Sequence, residues 1–261
     1  MNNLKQYFFD NIVPFLGKIF VSNNKYVNVI YYHDIVEGKG YSMMQMNVEK
    51  FKQQMLFIKR NGYETLRFDD LNKLELIKFK KKRVVIAFDD GWKSNYSLIF
   101  DWMKEKGIKY NIYLTMGEIG VNPGYLTWEQ VREMHNSGLC GFGAHTFNHV
   151  DMSDISKIDT DTEIYKANEF FKKELGYYPV DFCYPFGYYS EDSNKWLTNN
   201  TSYQRIYTSA PFFSYKQKNS YIMARQGISD DDTEKQFRDK LNGYQNIYKP
   251  FFDVYYKIFS R

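Results

Sequence analysis

Val84-Val85-Ile86-Ala87-Phe88-Asp89-Asp90-Gly91 sets five apolar residues without a break against two carboxylates and a glycine. An apolar run with no polar alternation predicts a strand covered on both faces, as in parallel sheets whose crossover helices lie outside. Gly91 lets the chain turn sharply directly after the aspartates. The pair then lies at the carboxyl end of a strand, where parallel α/β folds collect their functional groups.

Outward from this run, strand-like and helix-like patterns alternate. Val27 to Tyr32 predicts a buried strand. A helix follows with Val48, Phe51, Met55 and Ile58 on one face and Asn61-Gly62 at its end. Beyond Gly91 come a helix around Ile99, Trp102 and Met103 that stops at Gly107, and a strand from Asn111 to Thr115. Thr127-Trp128-Glu129-Gln130 predicts a capping-box helix start. That helix ends at Gly138 and leads to a strand from Cys140 to Ala144. A helix over 159–175 and strands at Val180–Tyr184, Gln204–Thr208 and Tyr221–Ala224 complete the pattern. No repeat or Pro/Gly-rich linker divides the chain, so one α/β domain over 1–261 is expected, barrel-like rather than an open doubly wound sheet. Periodicity alone does not separate those two.

Composition narrows the function classes. The chain has 261 residues, 24 Tyr and 22 Phe, which excludes a disordered protein. Lys+Arg 35 against Asp+Glu 31 leaves +4, too little for a nucleic-acid footprint. Cys140 and Cys183 cannot make a disulfide scaffold and read as buried thiols. The terminal segments 7–21 and 244–261 are amphipathic. They are expected to cover the outside of the domain, with a peripheral membrane contact as the alternative. With no export signal legible in residues 7–21, a cytoplasmic location is expected, at the inner membrane face if the termini touch lipid.

Three of the four histidines follow strands. His33 ends the first, and His145-Thr146-Phe147-Asn148-His149 follows Ala144. Two imidazoles four apart share one face of a helical turn, about 5–6 Å apart at Cβ, and suit one metal ion. The spacing lacks the glutamate of the HExxH zincins. One of Asp89 and Asp90 can complete a two-His, one-carboxylate site while the other takes a proton. A metal-dependent oxygenase uses such a triad too, but its usual home is a β jelly roll. His135, inside a predicted helix, reads as a packing residue.

Ala87-Phe88-Asp89-Asp90-Gly91, then Leu126 to Val131 leading to Gly143-Ala144-His145-Thr146-Phe147-Asn148-His149, resembles the polysaccharide deacetylase family, the NodB homology domain of carbohydrate esterase family four. The resemblance covers about residues 27–228 and implies a distorted β/α barrel of about seven repeats. It implies Asp89 as general base and Asp90, His145 and His149 as metal ligands. The metal is most simply Zn2+, with Co2+, Ni2+ or Fe2+ as alternatives. Cys183-Tyr184-Pro185-Phe186-Gly187 is similar to the family's Arg-x-Pro-Tyr-Gly loop, which lines the groove. Tyr184 and Pro185 are therefore expected to face substrate, and the Phe186 N–H to help form an oxyanion hole. The arginine of that loop is missing. Arg225 is the candidate to replace it, the alternative being a surface ion pair. The late histidine that serves as general acid in the family is also missing. The permuted branch, which includes poly-N-acetylglucosamine deacetylases, carries it near the N-terminus in a segment resembling Tyr32-His33-Asp34, so His33 is assigned as acid. Trp92 and Tyr188 are candidate stacking faces for sugar rings.

The implied activity is removal of N-acetyl groups from an amino sugar of a glycan or glycan precursor. A metal-bound water attacks, Asp89 takes its proton, and His33 protonates the leaving nitrogen. The alternatives are a non-catalytic glycan-binding pseudoenzyme and an O-acetyl esterase on the same scaffold.

Overall fold

The computed structural model of the chain describes residues 7, 11–20, 27–40, 44–71, 82–209, 215–217 and 220–244. The strands are β1 (Asn28–Tyr32), β2 (Asp34–Val36), β3 (Gln45–Asn47), β4 (Glu64–Leu66), β5 (Arg83–Phe88), β6 (Tyr110–Leu114), β7 (Cys140–Ala144), β8 (Asp181–Cys183), β9 (Arg205–Thr208), β10 (Tyr215–Gln217), β11 (Ser220–Ala224) and β12 (Gln226–Gly227). Those carrying long apolar runs coincide with the sequence reading. β2, β3, β4, β10 and β12 have two or three residues each and carry no periodic signal of their own.

The strands β1, β5, β6, β7, β8 and β9 lie side by side and parallel. β11 pairs in parallel with β9, and one residue later the same stretch of chain, as β12, pairs in parallel with β1. One segment thus joins both edges of the sheet, and a nearly closed barrel results, with β11–β12 as its seventh stave. This double pairing is what rules out the open sheet. The barrel is distorted at β5, whose edge is shared. β4 pairs with Arg83 to Val85 and β6 with Ala87 and Phe88. Buried Asn111 fills the fork. Its Oδ1 accepts the Phe68 N–H at 2.7 Å, and its Nδ2 donates to the carbonyls of Leu66 and Ile86 at 3.1 and 3.2 Å.

Side chains alternate between the barrel interior and the helical layer. Val29, Tyr31, Val85, Ala87, Tyr113, Cys183, Tyr207 and Met223 gather inside. Ile30, Tyr32, Ile86, Phe88, Ile112 and Leu114 point outward under the helices. Gly143 sits at an inward position of β7, where a Cβ would lie 2.7 Å from the Tyr113 ring. Helix Val48–Arg60 buries Phe51, Met55 and Ile58, with the Phe51 ring packed on those of Tyr32 and Phe88. Each such side chain contributes roughly 1.5–3 kcal/mol. Helix Trp128–Asn136 begins with the predicted capping box on Thr127 and Gln130. The helix expected over 159–175 is two pieces, a π-helical Asp161–Lys166 and an α-helical Ala167–Leu175.

At the N-terminus, helix Val13–Phe20 buries Val13 and lays Gly17 against the backbone of Tyr244, while Ile12 and Phe15 are exposed. The C-terminal segment expected over 244–261 lies, beyond Tyr244, outside the described residues. Among the described residues no helix is long and apolar enough to cross a membrane. Cys140 and Cys183 are free and buried.

Candidate active site

Strand alternation continues past the strand ends and delivers the chemistry to one mouth of the barrel. Tyr31 is inward on β1, so His33 follows it inward. Ala87 leads in the same way to Asp89, Gly143 to His145 and Met223 to Arg225. Hydrogen bonds hold these positions beyond the strands, from Asp89 N–H to the Tyr32 carbonyl and from His145 N–H to the Leu114 carbonyl, each at 3.0 Å.

Asp90 would point away by the same rule. It adopts φ 73°, and Gly91 follows at φ 89°, which swings the Asp90 carboxylate back to the site. Its Oδ1 lies 3.4 Å from His145 Nε2 and 3.3 Å from His149 Nε2, and its Oδ2 accepts the Trp92 indole N–H at 2.9 Å.

These three side chains fit a metal ion. Asp90 Oδ1 is buried and has no hydrogen-bond partner, a costly state for a carboxylate oxygen unless a cation answers it. His145 Nδ1 lies 2.7 Å from the Cys183 carbonyl. It must donate there, so the Nε2 lone pair faces Asp90. A tetrahedral ion with bonds near 2.1 Å separates its ligands by about 3.4 Å. The Asp90–His145 and Asp90–His149 separations match that edge. The three donor atoms all lie within 4.8 Å of one another.

The His145–His149 segment is a loop, which corrects the expected helical turn. Thr146 and His149 both have positive φ, 62° and 58°. The turn is shaped by tertiary bonds in place of an i→i+4 ladder. Met116 N–H donates to the Thr146 carbonyl at 3.1 Å and Gly117 N–H to the Phe147 carbonyl at 2.8 Å. From the other side, buried Glu163 Oε2 accepts the N–H groups of Phe147 and Asn148 at 3.1 and 2.9 Å. Its Oε1 accepts the Asn148 amide N–H at 2.6 Å. Sequence reading missed Glu163, although a signal existed. It shares an apolar stripe with Ala167 and Phe171, and a carboxylate on such a stripe needs partners.

Asp89 is locked by Arg225, the residue between β11 and β12. The guanidinium is fully buried and grips both carboxylate oxygens, Nη1 to Oδ1 at 2.6 Å and Nη2 to Oδ2 at 2.8 Å. It also stacks on the Tyr31 ring at 4.1 Å. Burial alone would raise the Asp89 pKa; the Arg225 charge and hydrogen bonds override it and hold the carboxyl below its ordinary value. The surface ion pair weighed for Arg225 is thereby excluded. His33 Nε2 lies 3.7 Å from Asp89 Oδ2, and buried Asn95 donates to the His33 carbonyl at 3.1 Å. Burial lowers the His33 pKa, with Asp89 and Asp90 opposing in part.

The 183–187 segment divides. Tyr184 and Pro185, expected to face substrate, are buried. Tyr184 follows the outward register of Phe182 and packs among Met152, Leu197 and Ile206 under the helical layer. Phe186 is exposed at φ 58°, its ring 4.6 Å from that of His149, and Tyr188 is exposed beside it. Trp92 is half-buried and stacks on Tyr125 at 4.6 Å, so one indole face is taken and its N–H serves Asp90. His135 packs on Phe142 and Tyr177, away from the site.

Comparison with known proteins matches residues 77–206 to the family model described as polysaccharide deacetylase, about half the chain. The Bacillus subtilis protein YxkH is 28% identical over 204 residues, 77% of this chain and 71% of that one. The poly-beta-1,6-N-acetyl-D-glucosamine N-deacetylase of Staphylococcus epidermidis is 27% identical over 177 residues, 63% of this chain and 60% of that one. The crystal structure of a polysaccharide deacetylase from Bacillus cereus superposes with a TM-score of 0.71 at 25% identity, covering 82% of this chain and 68% of that one.

Proposed function

The chain belongs to the polysaccharide deacetylase family and is a deacetylase; from that premise we propose that it removes N-acetyl groups from an amino sugar of a polysaccharide or its precursor, with a divalent metal. The observation that carries the metal dependence is the unpartnered Asp90 Oδ1 facing two imidazole nitrogens, beside a second carboxylate held by arginine. The name of the Staphylococcus epidermidis relative supports an N-acetylated glycan as substrate.

An ion held by Asp90, His145 and His149 would polarise the acetamide carbonyl and acidify a water beside it. We take it to be Zn2+; the same N and O donors accept Co2+, Ni2+ or Fe2+. Asp89 stays ionised against Arg225 and accepts a proton from the attacking water. The Phe186 N–H, on its left-handed turn, is the donor for the developing oxyanion. His33, within 3.7 Å of Asp89, delivers a proton to the departing sugar nitrogen, which leaves poorly as an anion. Acetate and a free amine result. Exposed Phe186 and Tyr188 offer apolar faces to the sugar next to the metal ligands.

The test is acetate release from N-acetylglucosamine oligomers, peptidoglycan fragments and O-acetylated counterparts, with metal-stripped, zinc-restored, Asp89→Asn and His33→Ala enzyme in parallel. Release should need metal. Asp89→Asn should bind metal normally yet lose about 100-fold or more in kcat, the scale of general-base catalysis. Near-normal turnover in Asp89→Asn would overturn the assignment, and release from O-acetyl substrates alone would make the protein an esterase.

A further inference from the structure

We propose that Glu163 is the positioning residue that holds the His145–His149 loop in its metal-accepting shape before any ion arrives, an inference that rests on the metal-dependent reading above. His145 needs no such help. It continues the register of β7, and its ring is fixed by the Cys183 carbonyl. His149 has no strand behind it and reaches Asp90 only because the chain reverses between Thr146 and His149, both at positive φ. Residues with a Cβ are strained in that region. The loop therefore needs something outside itself to favour this shape.

Glu163 supplies it. Its carboxylate takes three donors from two consecutive residues, the N–H groups of Phe147 and Asn148 and the Asn148 side-chain amide, at 2.6 to 3.1 Å. Hydrogen bonds to a charged acceptor are the strong kind, and the group is only 5% exposed, so water does not compete. The opposite side of the loop is fixed by Met116 and Gly117, whose N–H groups take the carbonyls of Thr146 and Phe147. A second feature points the same way. Glu163 lies in the π-helical turn Asp161–Lys166, a geometry that is unfavourable in itself and found mostly at functional positions. Here its consequence is to place a carboxylate under a loop. The bonds Glu163 makes go to Phe147 and Asn148 and to none of the three metal ligands, so its effect passes through His149.

The experiment is metal affinity, measured by competition of Zn2+ and Co2+ with a chromophoric chelator, with the Co2+ absorption spectrum as a report on ligand geometry. Glu163→Ala should weaken affinity about tenfold or more, the scale for partners that orient ligands, and alter the Co2+ spectrum. Its kcat should recover as metal is raised to saturation. Glu163→Gln should stay within about threefold of wild type, because its carbonyl can accept both backbone N–H groups while Asn148 turns its own carbonyl toward the new amide. Asn148→Ala, which removes one of the three bonds and leaves the carboxylate, should fall between the two and serves if Glu163→Ala does not fold. Unchanged affinity and spectrum in folded Glu163→Ala or Asn148→Ala would overturn the inference and leave the metal site standing. Failure of the wild-type protein to bind either ion would remove both.

Discussion

Arg225→Met keeps most of the side-chain bulk inside the barrel and deletes the two bonds, 2.6 and 2.8 Å, that grip Asp89. The substitution strands a buried carboxylate. Breaking one partner of a buried pair costs about 3–5 kcal/mol, and at roughly 2–4 °C per kcal/mol for a large domain the Tm should fall by about 10 °C. Turnover should drop about 100-fold, since a base displaced by ~1 Å loses that much. The pH dependence carries a sign. In wild type Arg225 holds the Asp89 pKa below its unfolded value of about 3.9, so its contribution is present above that pH and fades as pH falls through the folded value. Without the guanidinium, burial pushes the carboxyl up. The contribution is then complete below pH ~4 and fades as pH rises through the raised folded value. The Tm gap between wild type and variant, both metal-free, should therefore be wider at pH 8 than at pH 5. Adding Asp89→Asn to Arg225→Met should restore part of the lost stability, because the amide no longer needs a counter-charge. Calorimetry at the two pH values with acetate-release kinetics measures all of this. A Tm within 2 °C of wild type and a kcat/KM within about threefold would refute the reasoning.

Trp92→Phe keeps the stack on Tyr125 but removes the 2.9 Å bond to Asp90 Oδ2. Metal affinity should fall up to about tenfold, and chelator competition that detects no change would show that Asp90 is oriented without the indole. Tyr184→Ala opens a core cavity and should cost about 3–5 kcal/mol, whereas Tyr188→Ala should leave Tm unchanged and raise KM for a glycan. The reverse pattern would mean that the assignment of which tyrosine faces substrate is wrong.

Much of this architecture is legible in the sequence because strands of a closed parallel barrel carry apolar runs, unbroken in β1, β5 and β7 and interrupted by a single polar residue, Asn111, in β6. The short elements escape for the complementary reason. β4 has three residues, and β12 two, with identities set by neighbours. Arg225 could be named as a candidate from the absence of an arginine at Cys183. Its partner followed only from β11–β12 crossing from β9 to β1, a long-range pairing with no local trace. Tyr184 was misplaced by motif likeness where register would have served better. Inward Asp181 and Cys183 leave Tyr184, like Phe182, on the outward face.

The site itself separates along the same line. His33, Asp89, His145 and Arg225 arrive by strand alternation, the one geometric rule that a sequence displays directly. Asp90, His149 and Phe186 arrive by breaking it. Together with Thr146 they are the non-glycine residues with positive φ among the described residues, and all four border the site. Alternation alone offers a barrel mouth every second residue of each strand, which would give Asp89 without Asp90 and His145 without His149. Placing adjacent carboxylates in one site, or two histidines from one loop, requires a backbone reversal, and reversal at a residue with a Cβ is strained. The strain is offset by bonds to segments distant in sequence, Thr115 N–H to the Asp90 carbonyl, Met116 N–H to the Thr146 carbonyl and Glu163 to the loop amides. The four-residue histidine spacing is equally compatible with a helical turn and with this reversal. Those distant bonds, which no local pattern encodes, select the reversal.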